Sequence, residues 1–113
     1  MVNLNCVILG DGEPFPVRVD GGNTLYALKV AITRKKTDTV LCEAYKMKLF
    51  LGKQDDGKWL DAAGAATLML HRNGSPRGFK QMDNQLLTIN DTSYFGAGFE
   101  PEEGDVHVLV VLP

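Results

Sequence analysis

The sequence predicts an α+β fold: a mixed sheet with one main helix packed on one face and a long insertion before the last strand. Two short apolar segments, Met47-Lys48-Leu49-Phe50-Leu51-Gly52-Lys53 and His107-Val108-Leu109-Val110-Val111-Leu112-Pro113, read as strands far apart in the chain. The opening residues alternate with period two, and a stretch of helical periodicity follows them. A helix placed between strands needs a sheet to lie on, and a uniformly apolar last strand needs a central position in it.

Val2, Leu4, Cys6 and Ile8 alternate with Asn3, Asn5, Val7 and Leu9, which puts the first set on a core face and makes Cys6 a small core hydrophobe. Gly10-Asp11-Gly12-Glu13 is turn chemistry. Phe15, Val17 and Val19, alternating with Pro16, Arg18 and Asp20, then predict a second strand that forms a hairpin with the first. Pro14 and Pro16 have no N–H to give to a ladder, so this strand belongs at a sheet edge. After Gly21-Gly22, Asn23 is the expected N-cap of an amphipathic helix over about 24–36. In that helix Leu25, Leu28 and Ile32 face the core, Lys29 stays in water, and Arg34-Lys35-Lys36 complements the C-terminal dipole.

Residues 37–45 cross back to a third strand, in which Met47, Leu49 and Leu51 point one way and Lys48 and Phe50 the other. Gly52 ends it, and Gln54-Asp55-Asp56-Gly57 turns the chain before the apolar pair Trp59-Leu60. The insertion, about 61–105, is expected to hold a short helix over 62–71 weakened by Gly64, and a second helical stretch carried by Phe79, Met82, Leu86 and Leu87. Tyr94-Phe95 ends a polar loop. The last strand, 106–112, pairs between the first strand and the third, which gives the whole a β-grasp architecture.

Bulk composition bounds the function. A chain of 113 residues with 44% hydrophobic and 23% charged residues is read as one globular domain, 1–113, able to bury a core without metal or disulfide. A net charge of -2 supplies no general field for nucleic acid, and the one basic run belongs to the helix end. Cys6 and Cys42 match no disulfide framework, zinc or redox spacing. No run reaches the ~18 apolar residues of a membrane span, and the N-terminus lacks the basic and long apolar regions of a conventional secretory signal. Asn73-Gly74-Ser75 and Asn90-Asp91-Thr92 are read as turns rather than glycosylation sites.

Leu49-Phe50-Leu51-Gly52-Lys53-Gln54-Asp55-Asp56-Gly57 and Val106-His107-Val108-Leu109-Val110 resemble the corresponding parts of ubiquitin at the level of fold. The terminal Leu112-Pro113 replaces the Gly-Gly tail that conjugation requires. A narrower resemblance follows from Met1-Val2-x-Leu4-x-Cys6, Leu49-Phe50-Leu51-Gly52-Lys53, Trp59-Leu60 and His107-Val108-Leu109-Val110-x-x-Pro113. Together these resemble the N-terminal domain of Crinkler effectors, the crinkling-and-necrosis proteins typical of oomycete pathogens. The family's motif is Leu-Phe-Leu-Ala-Lys; here Gly52 stands in place of the alanine and Met47 in place of a leucine of the longer form. Glycine at that place leaves Lys53 intact and is expected to loosen the strand end.

The resemblance implies a secreted N-terminal domain that delivers an effector into the host cell, with the host nucleus as a further destination. It implies Leu49, Phe50, Leu51, Gly52 and Lys53 as a translocation motif. His107, Val108, Leu109, Val110 and Pro113 would mark the junction to a C-terminal effector domain beyond residue 113. The implied partners are that C-terminal domain and a host protein or uptake receptor, with no nucleic acid, membrane span, metal or cofactor.

The residues themselves weigh against an enzyme. There is no phosphate loop, nucleophile elbow or metal-spaced His and Cys cluster. Asp55 and Asp56 suit a solvated hairpin tip, Trp59 suits a core plug, and His107 lacks a catalytic partner, with His71 distant in sequence. If Val108, Val110 and Leu112 face the helix, then His107, Leu109, Val111 and Phe50 lie on the outer sheet face beside Val7 and Leu9. That face is either an apolar interaction surface or one covered by residues 61–105. Within the motif, Phe50 and Lys53 are the expected outward side chains. Besides delivery, two roles stand: a module that binds a host protein through the outer face, and a spacer for a toxic C-terminal domain.

Overall fold

The computed structural model describes residues 2–10, 13–68, 76, 78–96 and 98–113. Strands β1 (Val2–Ile8) and β2 (Phe15–Val19) pair antiparallel, with Leu4 opposite Val17 and Cys6 opposite Phe15. Helix α1 (Leu25–Lys35) follows, then a 3-10 turn at Ala44–Lys46 and strand β3 (Lys48–Leu51). Next come β4 (Leu60–Asp61), helix α2 (Ala62–Leu68), β5 (Asp105–Val106) and β6 (Val108–Val111). The main sheet has the order β2-β1-β6-β3, with β6 parallel to β1 and antiparallel to β3. This is a mixed α+β sheet of ubiquitin-like topology. The Pro-bearing β2 is at the edge and the apolar β6 at the centre, as the sequence requires.

Both faces of the sheet carry a core. On one face, Leu4, Cys6, Ile8, Leu49, Val108 and Val110 pack under Leu25, Leu28 and Ile32 of α1. The α1 residues are three and four apart and line one stripe of the helix. On the other face, Val7, Phe50 and Leu109 pack with Leu60, Val106 and Ala65, and α2 and Phe79 help to close over them. Asp61 caps α2 by accepting the Gly64 N–H at 2.7 Å, which offsets the glycine in its first turn.

Several sequence expectations do not hold in the fold. The N-cap of α1 is Thr24, whose hydroxyl accepts the Ala27 N–H at 3.2 Å; Asn23 instead accepts the Asp20 N–H and closes the preceding turn. Lys29 is buried, with its ammonium donating to Gln85 Oε1 at 3.2 Å, because the insertion lies against that side of the helix. Residues 79–87 form no helix. They run as an irregular strap whose backbone is used by its neighbours: Leu51 N–H donates to Lys80 O, and Met82 N–H to Leu49 O, closing the free edge of β3. Leu25 and Tyr26 N–H donate to Leu87 O and Gln85 O, so the strap also satisfies orphan donors at the start of α1. The helix expected over 62–71 is present over Ala62–Leu68, and 69–71, with His71, and Asn73-Gly74-Ser75 lie outside the described residues. Finally, the terminal strand is two strands broken at His107, with β5 paired to β4 and β6 to β1 and β3.

Candidate functional site

The two candidate motifs meet in the centre of the sheet. Leu49 lies opposite Val110, Phe50 opposite Leu109 and Leu51 opposite Val108, and the Gly52 N–H continues the pairing to His107 O at 2.9 Å. One hydrogen-bonded unit therefore contains nearly every residue of both motifs. Most of it is core: Leu49, Leu51, Val108 and Val110 belong to the α1-side cluster, and Phe50 and Leu109 to the outer one.

Phe50 is 5% exposed, Leu109 and His107 are fully buried, and Val111 is partly buried. The outer face is thus covered at Phe50 and Leu109, and His107 is buried instead among rings that pack on the α1-side core, which corrects the expectation of both Phe50 and His107 as outward residues. The physical reason lies in β1 and β6, where apolar residues occupy both faces and both need a cover. Of the motif residues only Lys53 and Pro113 are exposed. Lys53 bridges to Trp59 across the Gln54–Gly57 turn, its ammonium 5.9 Å from the centre of the indole. Asp55 and Asp56 are exposed at that turn, and Asp56 accepts the Lys58 N–H.

Gly52 does not loosen the strand end; it is buried and bonded on both sides, its carbonyl accepting the Leu60 N–H at 2.8 Å. A Cβ at this position would fall far inside van der Waals contact of the Val106 carbonyl oxygen, and 3.0 Å from its carbon. Glycine lets β5 cross directly over the end of β3.

His107 explains the break between β5 and β6. Its N–H donates to Asn5 O at 2.8 Å, and its side-chain Nδ1 accepts the Asn5 N–H at 2.9 Å. The imidazole thus takes the place of a backbone carbonyl in the ladder with β1, while Asn5 Nδ2 donates to Asp105 O. Accepting at Nδ1 fixes the neutral tautomer with the proton on Nε2. That nitrogen is buried with no hydrogen-bond partner among the described residues, and the ring stands edge-on to Trp59 and Phe99 at 5.3 and 5.7 Å. Burial pulls the imidazole below its ordinary pKa, against the opposing charge of Asp105. Trp59 also stacks on Phe95, and these rings pack against the α1-side core. The residues that sequence reasoning missed are Asn5, read only as an outward polar position, Phe95, read as the end of a polar loop, and Phe99, which carries no sequence signal of its own.

Cys6 is buried and Cys42 partly so, and both thiols are free; burial pushes that of Cys6 up. Among the described residues no helix is long and apolar enough to cross a membrane.

Comparison with known proteins places this arrangement. No solved structure matches the chain. Crinkler effector protein 4 of Phytophthora capsici is 41% identical over 113 residues, which cover 99% of this chain and 26% of that protein. Crinkler effector protein 63 of Phytophthora sojae (strain P6497) is 34% identical, covering 100% of this chain and 28% of its own length. Crinkler effector protein 5 of Phytophthora infestans is 34% identical, at 100% and 33%. The chain thus spans between about a quarter and a third of the length of these relatives. The family model of the Crinkler effector protein N-terminal domain matches residues 2–111, and the chain belongs to that family.

Proposed function

We propose that this is the non-enzymatic N-terminal domain of a secreted Crinkler-type effector, serving translocation into host cells and protein interaction on behalf of a C-terminal effector domain. The observation that carries this reading is the similarity of the whole chain to proteins named Crinkler effectors, all of which are much longer than the matched region. Delivery has to be read through exposed chemistry, and within the Leu49–Lys53 motif that leaves the Lys53 ammonium. The other motif side chains hold the domain together. Destinations inside the host, the nucleus included, then depend on the attached effector domain as well as on this one.

The test is a fusion of the domain to a reporter enzyme active only in the host cytosol. Lys53→Glu is expected to reduce uptake several-fold with an unchanged melting temperature, and Lys53→Arg to retain it. Uptake equal to wild type in the folded Lys53→Glu protein would remove the motif from the delivery role.

A further inference from the structure

Burial of the outer face removes the surface expected to meet a partner, but another part of the molecule carries the features of one. An open groove of about 750 Å³ runs between the 3-10 turn before β3 and the strap at residues 81–86. Among the described residues, four large apolar side chains are exposed, and two of them line this groove: Tyr45 at 55% and Leu86 at 80%. Lys29, Lys46 and Lys48 line it too, against the single acidic residue Asp83, so the groove is locally positive in a protein of net charge -2.

Lys29 is the unusual member. A buried ammonium is costly unless its donors are used. Its side chain makes one hydrogen bond among the described residues, to Gln85 Oε1, although it has three protons to give. That leaves two protons unused, and an anionic group arriving in the groove would complete its shell. Lys46, with its ammonium 5.9 Å from the centre of the Tyr45 ring, and Lys48 add two exposed cations.

We propose that this groove binds a linear acidic peptide segment of a partner protein, with a large apolar side chain resting on Tyr45 and Leu86 and neighbouring carboxylates meeting Lys29, Lys46 and Lys48. Charge complementarity selects the acidic partner, and the paired apolar residues select a peptide over a nucleic acid or a free anion. The inference rests on the protein-interaction half of the proposed function and names its surface. It does not depend on Lys53, which lies outside the groove lining.

The experiment is selection of a random dodecapeptide library on the immobilised domain, followed by amide-shift mapping with the enriched peptides. The expected consensus places Asp or Glu beside Leu, Ile or Phe, and the shifts fall on Lys29, Tyr45, Lys48 and the 81–86 strap. The exposed pair Lys46→Glu with Lys48→Glu weakens binding at least about tenfold, and Leu86→Ser weakens it several-fold, both with unchanged melting. No enrichment, a consensus without acidic residues, shifts elsewhere, or equal binding to the charge-reversed protein would overturn the proposal. So would inorganic polyphosphate that binds the groove as tightly as the best peptide. Loss of peptide binding with uptake intact, against loss of uptake in Lys53→Glu with peptide binding intact, tells failure of one role from failure of the other.

Discussion

The two faces of the central sheet are built to different rules. The α1 face is covered mainly by one eleven-residue helix whose Leu25, Leu28 and Ile32 supply a regular apolar stripe, with Val40, Met82 and Ile89 filling in beside it. Among the described residues the outer face is covered by fragments: a seven-residue helix that buries Ala65 and packs Leu68 against the sheet, a two-residue strand pair and the side chain of Phe79. Phe50 is the largest side chain among that cluster's fully packed members. A cover assembled from small pieces depends on the residues of the sheet to hold it. The Leu49-Phe50-Leu51 strand therefore serves two cores at once.

The largest expected effect tests that dependence. Phe50→Ala removes a ring buried at 5% exposure, and we expect a loss of about 3–5 kcal/mol in urea unfolding. Leu28→Ala, buried under α1, is expected to cost about 2–5 kcal/mol. If Phe50→Ala costs under about 1 kcal/mol while Leu28→Ala costs its full share, the outer cover is a loose lid and not a second core. Amide exchange sharpens the comparison: Phe50→Ala should accelerate exchange in α2 and leave α1 protected.

How much of this is legible in the sequence follows from the same contrast. The hairpin, α1, β3 and the central position of β6 can be read because each carries one clean period: two in Leu4-x-Cys6-x-Ile8, and three to four in Leu25, Leu28 and Ile32. The outer cover can be read only in part: a short helix from residue 62 is legible, but Ala62–Leu68 is too short and too rich in small residues for a stripe to show what it covers. The strap at residues 79–87 misleads more directly. Its apolar spacing resembles a helix, yet it is fixed by backbone bonds to β3 and α1, which leave no trace in side-chain periodicity. Leu86, expected to carry a helical stretch, is 80% exposed on the strap. Lys29, expected in water, is buried for the same reason. The candidate motifs are visible as strings, but their division into buried and exposed members requires the cover to be known. Val7, Phe50 and Leu109 do carry the hint, since an apolar residue on the second face of a strand requires a second layer.

Next in size is the junction where the two faces meet. Gly52→Ala restores the family's Leu-Phe-Leu-Ala-Lys spelling, and a loosened strand end would make it stabilising. The packing of Gly52 against the Val106 backbone predicts the reverse: a loss of about 1–3 kcal/mol, as for other overpacked sites, and a displaced β5. A melting temperature at or above wild type would mean that β5 moves aside freely and the outer cover is not pinned there.

A smaller and pH-dependent effect separates the β5 side of that junction from the β6 side. His107 is held neutral, with a pKa lowered by burial, so the unfolded chain binds its proton first as pH falls. Its stabilising share is complete above the ordinary histidine value of about 6.5 and declines below it as pH falls towards the lowered native value, with a slope approaching about 1.4 kcal/mol per pH unit. Protonation at Nδ1 would set an N–H against the Asn5 N–H and break the 2.9 Å bond. His107→Asn offers an amide oxygen near the Nδ1 position and does not titrate. It should flatten the dependence of the urea midpoint between pH 7 and 5.5. A variant that keeps the full wild-type slope would assign the acid sensitivity to other groups.

The smallest expected effect falls on the residue most relevant to delivery. Lys53 is exposed, and its contact with the Trp59 ring is a surface cation–π pair worth about 0.5–1 kcal/mol at most. Lys53→Ala should therefore leave the urea midpoint nearly unchanged, where Phe50→Ala moves it far. Loss of uptake in a combined Phe50 and Lys53 variant would not distinguish a trafficking signal from an unfolded domain, because Phe50 belongs to the core. The single lysine change does distinguish them. If Lys53→Ala costs as much stability as a core truncation, the lysine is part of the fold, and the motif holds no residue free to be read by a receptor.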